Sequence, residues 1–249
     1  NEGAILTARE NRKEVTQYDL IRSVEKVMLG PERKSHILSV REKRITAFHE
    51  MGHALVASLL PHTDPVHKVS IVSRGHAAGY TLKLPTEDRK LQSRKEFLDD
   101  LAVSLGGYAA EQLIFGDITT GAANDIQNAT ALARNMVAKY GMSDKLGPIA
   151  FETGGNQRFA WGLGWVGEVA SSEAVAAQVD SEVARLMAEA LARAKSLLLD
   201  HRPVLDSMAE ELIRVETIDR DDFDKLLLVN GIKPKPRELS EEPKPESDA

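Results

Sequence analysis

The chain has 249 residues, a formal net charge of -6, 42% hydrophobic and 28% charged residues, and no cysteine. That balance is ordinary for one large globular domain or two modest ones, and the absence of cysteine excludes a disulfide framework, so any metal site must be built from His and carboxylates. The acidic balance and an aromatic content of 5% argue against a protein that tracks nucleic-acid phosphates or stacks bases.

Residues 1–12 read as a helix with Ala4, Ile5 and Ala8 on one side. Thr16 can cap the next helix, whose Leu20, Ile21, Val24, Val27 and Met28 recur at helical spacing until Gly30-Pro31 ends it. Residues 32–35 look like a linker, and a main domain opens near Ser39. The chain starts in mid-pattern without a methionine, which reads as a fragment of something longer. It shows no signal peptide and no run of about eighteen apolar residues that would span a membrane.

The next helix carries Ile45, Phe48, Leu55, Val56 and Leu59 before Pro61 stops it, and within it stands His49-Glu50-Met51-Gly52-His53, an H-E-x-x-H pattern. Positions four apart share a helix face, so His49 and His53 can point two imidazoles at one metal ion. Glu50 then lies where a carboxylate can take a proton from a metal-bound water. A buried helix would not normally carry two His and a Glu without partners, because unpaired polar groups are costly there.

After Pro61 the period changes. Residues 66–72 and 78–84 read as strands, the second alternating from Tyr80, with residues 73–77 connecting them. His62, His67 and His76 lack partner spacing and read as surface or loop residues. Gly79, Tyr80, Thr81 and Leu82 form a candidate edge to which an extended peptide could add as a further strand; the alternative is an ordinary strand of a small sheet.

A long helix is expected over residues 93–115, with Phe97, Leu98, Leu101, Leu105, Ala109 and Leu113 as its apolar stripe. Gly106-Gly107 weakens it and suggests close approach of another helix. Glu111 sits among apolar neighbours and either holds a metal-bound His from behind or makes a helix salt bridge. Thr119 or Thr120 can cap the following helix, which runs to Tyr140-Gly141. Asp125 falls in its first turn, where it can be a helix-start residue or an ionised metal ligand.

Residues 142–168 are rich in Gly and aromatics, notably in the stretch 154–167, and read as a long loop whose aromatics contact substrate, a neighbouring subunit or their own domain. Helices follow over 171–200 and 202–214, and Asp219 can cap a last one bearing Phe223, Leu226 and Leu227. The Pro-, Glu- and Lys-rich tail 233–249 is expected to be disordered.

Several of these stretches together resemble one family. Met28-Leu-Gly-Pro-Glu-Arg-Lys-Ser35, His49-Glu-Met-Gly-His-Ala54, Ala109-Ala-Glu-Gln-Leu-Ile-Phe-Gly116, Thr120-Gly-Ala-Ala-Asn-Asp125 and Tyr140-Gly-Met-Ser-Asp-Lys-Leu-Gly147 are similar, in order and spacing, to the peptidase part of FtsH, the membrane-anchored AAA+ zinc metalloprotease. The resemblance implies a mainly α, helical zinc-metalloprotease domain over residues 36–232, with a small β-sheet beside the active site. It implies that residues 1–35 are the end of an ATPase lid and that one Zn2+ per subunit is held by His49, His53 and Asp125, with Glu50 as general base. It further implies a homo-hexamer, unfolded polypeptide substrates from membrane and cytosol, and an ATPase domain of the same parent chain that alone binds ATP and Mg2+. This chain has no G-x-x-x-x-G-K-[ST] phosphate loop. Membrane attachment would come only through amino-terminal helices of the parent. That places the domain on the cytoplasmic side of the inner membrane if bacterial, or at an organelle membrane if eukaryotic. Met51 departs from the family's usual Ala, and the Gly/Trp-rich stretch 154–167 is unlike what the resemblance leads one to expect at that place, which leaves its role open. The alternative from another class is a proteolytically inactive, zinc-containing assembly platform.

Overall fold

The computed structural model describes residues 1–30, 38–73, 78–85, 90–151 and 172–236. The expected linker at 32–35, the connection holding His76, the stretch 154–167 and the tail from residue 237 lie outside the described residues.

Helices α1 (Glu2–Arg9) and α2 (Gln17–Leu29) form a pair at the amino end. Thr16 caps α2 in a reciprocal box with Asp19, and the fully buried Asp19 carboxylate also binds Arg12, which closes the turn between the two helices.

The main body is mostly helical and is built on α3 (Val40–Leu59), whose first turn is fixed by a Ser39–Glu42 capping box. Every residue from Ala47 to Ala57 is buried, so α3 is covered on all sides rather than along one stripe. Met51, at the position where the sequence departs from expectation, is fully buried core. Around α3 lie α4 (Arg94–Ser104), α5 (Gly106–Phe115), α7 (Glu173–Asp200) and α8 (Arg202–Val215), with α5 and α8 making the most extensive contacts. α6 (Ala123–Arg134) leads into a π-helical turn, Asn135–Lys139, and α9 (Arg220–Val229) closes the fold.

The single helix expected over 93–115 is two. It breaks at Leu105, whose backbone angles are φ -94 and ψ 2. The reason lies in the next two residues. A Cβ on Gly52 would come within 2.5 Å of the Gly106 carbonyl oxygen, and one on Gly106 within 2.8 Å of the Gly52 oxygen. α3 and α5 therefore touch backbone to backbone, a crossing open only to glycine.

The sheet has three antiparallel strands in the order β2-β1-β3: β1 (Val66–Ser70), β2 (Tyr80–Lys83) and β3 (Thr217–Asp219). Val69 of β1 stands opposite Thr81 on one side and Ile218 on the other. The third strand was not legible in the sequence. Three residues are too few to show alternation, and their partner lies some 150 positions away. Asp219 takes the N-cap position of α9 without a side-chain cap bond and pairs instead with Lys68 at 3.1 Å. Glu216, at φ 64, turns the chain from α8 into β3, and its carbonyl accepts the Ile71 N–H at 3.0 Å. With β1 in the middle, β2 has no strand on its outer side among the described residues.

Candidate metal centre

The two turns of α3 that carry His49, Glu50 and His53 lie under the break between α4 and α5, against the first turn of α6 and beside β2. Each neighbour contributes one group. In an unbroken helix the Val103 carbonyl would bond to the amide of Gly107, four residues on. At the break it instead lies 2.7 Å from His53 Nδ1. His49 Nδ1 lies 2.7 Å from Glu111 Oε1 on α5. A carbonyl and a carboxylate both accept, so each Nδ1 donates a proton and each Nε2 is the nitrogen left to face the common centre, where it is a metal donor once deprotonated.

These two nitrogens converge. His49 Nε2 is 3.1 Å from His53 Nε2 and 3.1 Å from Asp125 Oδ2, and His53 Nε2 is 3.4 Å from the same oxygen. Among the described residues, His49, His53 and Asp125 form the one group of three or more ligand-type side chains that could hold a metal; His62 and His67 do not join it. Zinc bonds of about 2.0–2.1 Å in a tetrahedral arrangement put neighbouring donor atoms about 3.3 Å apart, so the spacing fits that ion.

Gly107 makes room for this arrangement. A Cβ there would lie 2.5 Å from atoms of the His49 ring. The expected close helix contact thus holds for Gly106, whereas at Gly107 the close neighbour is an imidazole.

The electrostatics describe a cage for a cation. Burial lowers the His49 pKa, but the hydrogen bonds to Asp125 and Glu111 outweigh it and push the group up to about 10 in the metal-free chain. Burial would raise Asp125, but its hydrogen bonds from His49 and His53 hold it well below the usual carboxylate range. Glu111, only 1% exposed, is likewise held down against burial by His49 and by the Thr119 N–H, which donates to Oε2 at 2.6 Å. The two carboxylates that favour a charged imidazole here would likewise favour a divalent cation bound in place of its proton.

Glu50 behaves in the opposite sense. Its burial pushes the carboxyl above its ordinary range, opposed by His53 and His49. It is not one of the converging donors; its Oε2 accepts a hydrogen bond from Thr81 Oγ1 at 2.8 Å.

The structure thus gathers His49, His53, Asp125, Glu50 and Glu111 in one place, with Gly79, Tyr80, Thr81 and Leu82 beside them. Thr119 serves the 3₁₀ turn Thr120–Ala122 as a cap, while α6 begins at Ala123 without one, so Asp125 lies in its first turn. Sequence reasoning missed Val103, whose contribution is a main-chain oxygen, and the hydroxyl of Thr81 that reaches Glu50. Neither carries a motif.

Residues 36–226 match the sequence profile of Peptidase family M41. The chain is 48% identical over 241 residues to "ATP-dependent zinc metalloprotease FtsH 1" of Thermomicrobium roseum, covering 95% of this chain and 36% of the relative. It is 46% identical over 249 residues to "ATP-dependent zinc metalloprotease FtsH" of Veillonella parvula, covering 100% of this chain and 38% of the relative. A third relative, "ATP-dependent zinc metalloprotease FtsH 1" of Conexibacter woesei, is 45% identical over 91% of this chain and 35% of its own length. The chain therefore spans little more than a third of the curated relatives it matches.

Proposed function

The chain belongs to peptidase family M41, and on that premise we propose that it is a zinc-metalloprotease domain in which His49, His53 and Asp125 hold the zinc while Glu50 moves the protons of peptide hydrolysis. The observation that carries this reading is the convergence of three donor atoms at 3.1, 3.1 and 3.4 Å with Glu50 beside them. Zinc bound there supplies Lewis-acid polarisation of the peptide carbonyl and lowers the pKa of the attacking water. Glu50 accepts that water's proton and then delivers it to the departing amide nitrogen. Glu111 and the Val103 carbonyl fix the two imidazoles in orientation and tautomer, the task of groups behind metal-bound His.

Substrate is held by β2. The strand has no further strand on its outer side among the described residues and touches the base, so a peptide added along Gly79, Tyr80, Thr81 and Leu82 would lay its backbone beside the metal site. Recognition through main-chain hydrogen bonds suits unfolded polypeptides of unrelated sequence. N-methylating alternate amides of a short inhibitory peptide is therefore expected to raise its inhibition constant about tenfold, while methylating the amides between them changes it little. Equal tolerance at every position would place the peptide elsewhere.

In the parent, this domain acts as part of a membrane-anchored homo-hexamer fed by the chain's own ATPase domain, which alone uses ATP and Mg2+. Residues 1–35 are then the end of the ATPase lid. The exposed Tyr18, Leu20, Val24 and Val27 on α2 suit a helix pair that packs on further chain. Among the described residues no helix is long and apolar enough to cross a membrane, so attachment falls to other segments.

Metal removal tests the reading as a whole. The assembled full-length protein is expected to contain one zinc per subunit and to cleave casein. Chelation should abolish both, and added zinc should restore both. Stoichiometric zinc in an assembled ring that cleaves nothing would favour the assembly platform.

A further inference from the structure

We infer that Thr81 is a positioning residue that holds the Glu50 carboxylate in its working rotamer and ties it to the strand on which substrate lies; this rests on Glu50 being the base. Thr81 Oγ1 is 2.8 Å from Glu50 Oε2 and 3.0 Å from the Glu50 main-chain oxygen. One hydroxyl thus lies within reach of both ends of the same residue, its single proton nearer the carboxylate, at 2.8 Å, than the main-chain oxygen, at 3.0 Å. Glu50 is buried on a helix, and its side chain has three rotatable bonds of its own. A carboxylate in such a place needs a donor. Thr81 is well suited to supply it, because a β-branched side chain has few rotamers and its backbone register is pinned opposite Val69 of β1.

The hydroxyl engages Oε2, so the carboxylate keeps a second oxygen, Oε1, for the proton transfers. Gly79 adds to the constraint from the same segment. A Cβ there would lie 2.9 Å from Glu50 Cγ and 2.7 Å from Thr46 Cγ2, so the chain entering β2 presses against the stem of the base. The segment that lines up the peptide therefore also sets where the proton acceptor stands.

The test uses Thr81→Val, which keeps the branched shape and removes the hydroxyl, beside Thr81→Ser, which keeps the hydroxyl, in the full-length zinc-loaded protease. Loss of one hydrogen bond to a charged group corresponds to about 10- to 100-fold in rate, and that fall is expected in kcat for Thr81→Val, with KM held within about twofold. A peptide hydroxamate, whose hydroxyl would meet Glu50, is expected to bind at least about tenfold more weakly to this variant, while zinc affinity by chelator competition stays unchanged. Thr81→Ser should restore kcat to within about threefold. A native kcat in Thr81→Val overturns the inference. So does a rise in KM at constant kcat, which would leave only strand docking, and so does loss of zinc, which would make the contact a scaffold. Failure of Ser to rescue overturns it as well. Glu50→Gln measured alongside separates the two levels: if that variant is inactive while Thr81→Val is native, the positioning role alone fails, whereas near-native turnover in Glu50→Gln removes the base itself.

Discussion

Glu50→Gln is expected to retain its zinc and lose peptide hydrolysis by about 10³-fold or more, toward the upper part of the roughly 10²–10⁴-fold range for loss of a general acid–base. The amide is the same size as the carboxylate and can still accept the Thr81 hydroxyl, so the site keeps its shape. Zinc stays because the converging donors belong to His49, His53 and Asp125, and Glu50 is not among them. What disappears is a basic oxygen, and with it both proton transfers. The variant should also unfold at no lower temperature than the native protein. Burial already disfavours the charged carboxylate at this position, and a neutral amide removes that cost. Zinc content, turnover of an unfolded substrate and melting temperature, read on one preparation, separate these effects. Zinc loss together with activity would mean that Glu50 is a ligand instead.

The parts of this site that the sequence reveals are those bound to one element's periodicity. His49 and His53 are four apart on a helix, and nothing further is needed to put them on one face. The apolar stripes of the remaining helices are legible for the same reason. What the sequence hides is produced by contacts between elements. Asp125 sits 76 positions from His49, and from local rules it reads as a helix-start residue rather than a ligand. It was the joint resemblance of several stretches that pointed to it, and in the fold it is the first turn of α6 that carries it to the histidines. Glu111, 62 positions from His49, left a salt bridge and a histidine support equally open until α5 was seen to cross α3. The break at Leu105 is the least legible feature, because the stripe from Phe97 to Leu113 runs through it undisturbed. Only the backbone crossing of Gly52 on Gly106 and the imidazole against Gly107 require it.

The second large effect is expected at Asp125. Asp125→Ala leaves two imidazoles and takes away the one carboxylate whose oxygen faces both Nε2 atoms, at 3.1 and 3.4 Å. Two neutral donors do not make a zinc site of the usual three protein ligands, so zinc affinity and activity should fall together, by more than the roughly 10–100-fold typical of a group that only supports a ligand. Glu111→Gln should stay within that lower range. Its amide oxygen can still take the His49 Nδ1 proton, but its NH2 would then face the Thr119 N–H, donor against donor, where Oε2 now accepts at 2.6 Å. The His49 ring would be held less firmly while remaining a ligand, and excess zinc should recover much of the activity. The same addition should recover little in Asp125→Ala. Zinc titrations of both variants, each followed by cleavage of an unfolded substrate, decide the assignment. If Glu111→Gln loses its metal while Asp125→Ala keeps it, the two carboxylates have exchanged roles, and His49 would have to present Nδ1 rather than Nε2 to the ion.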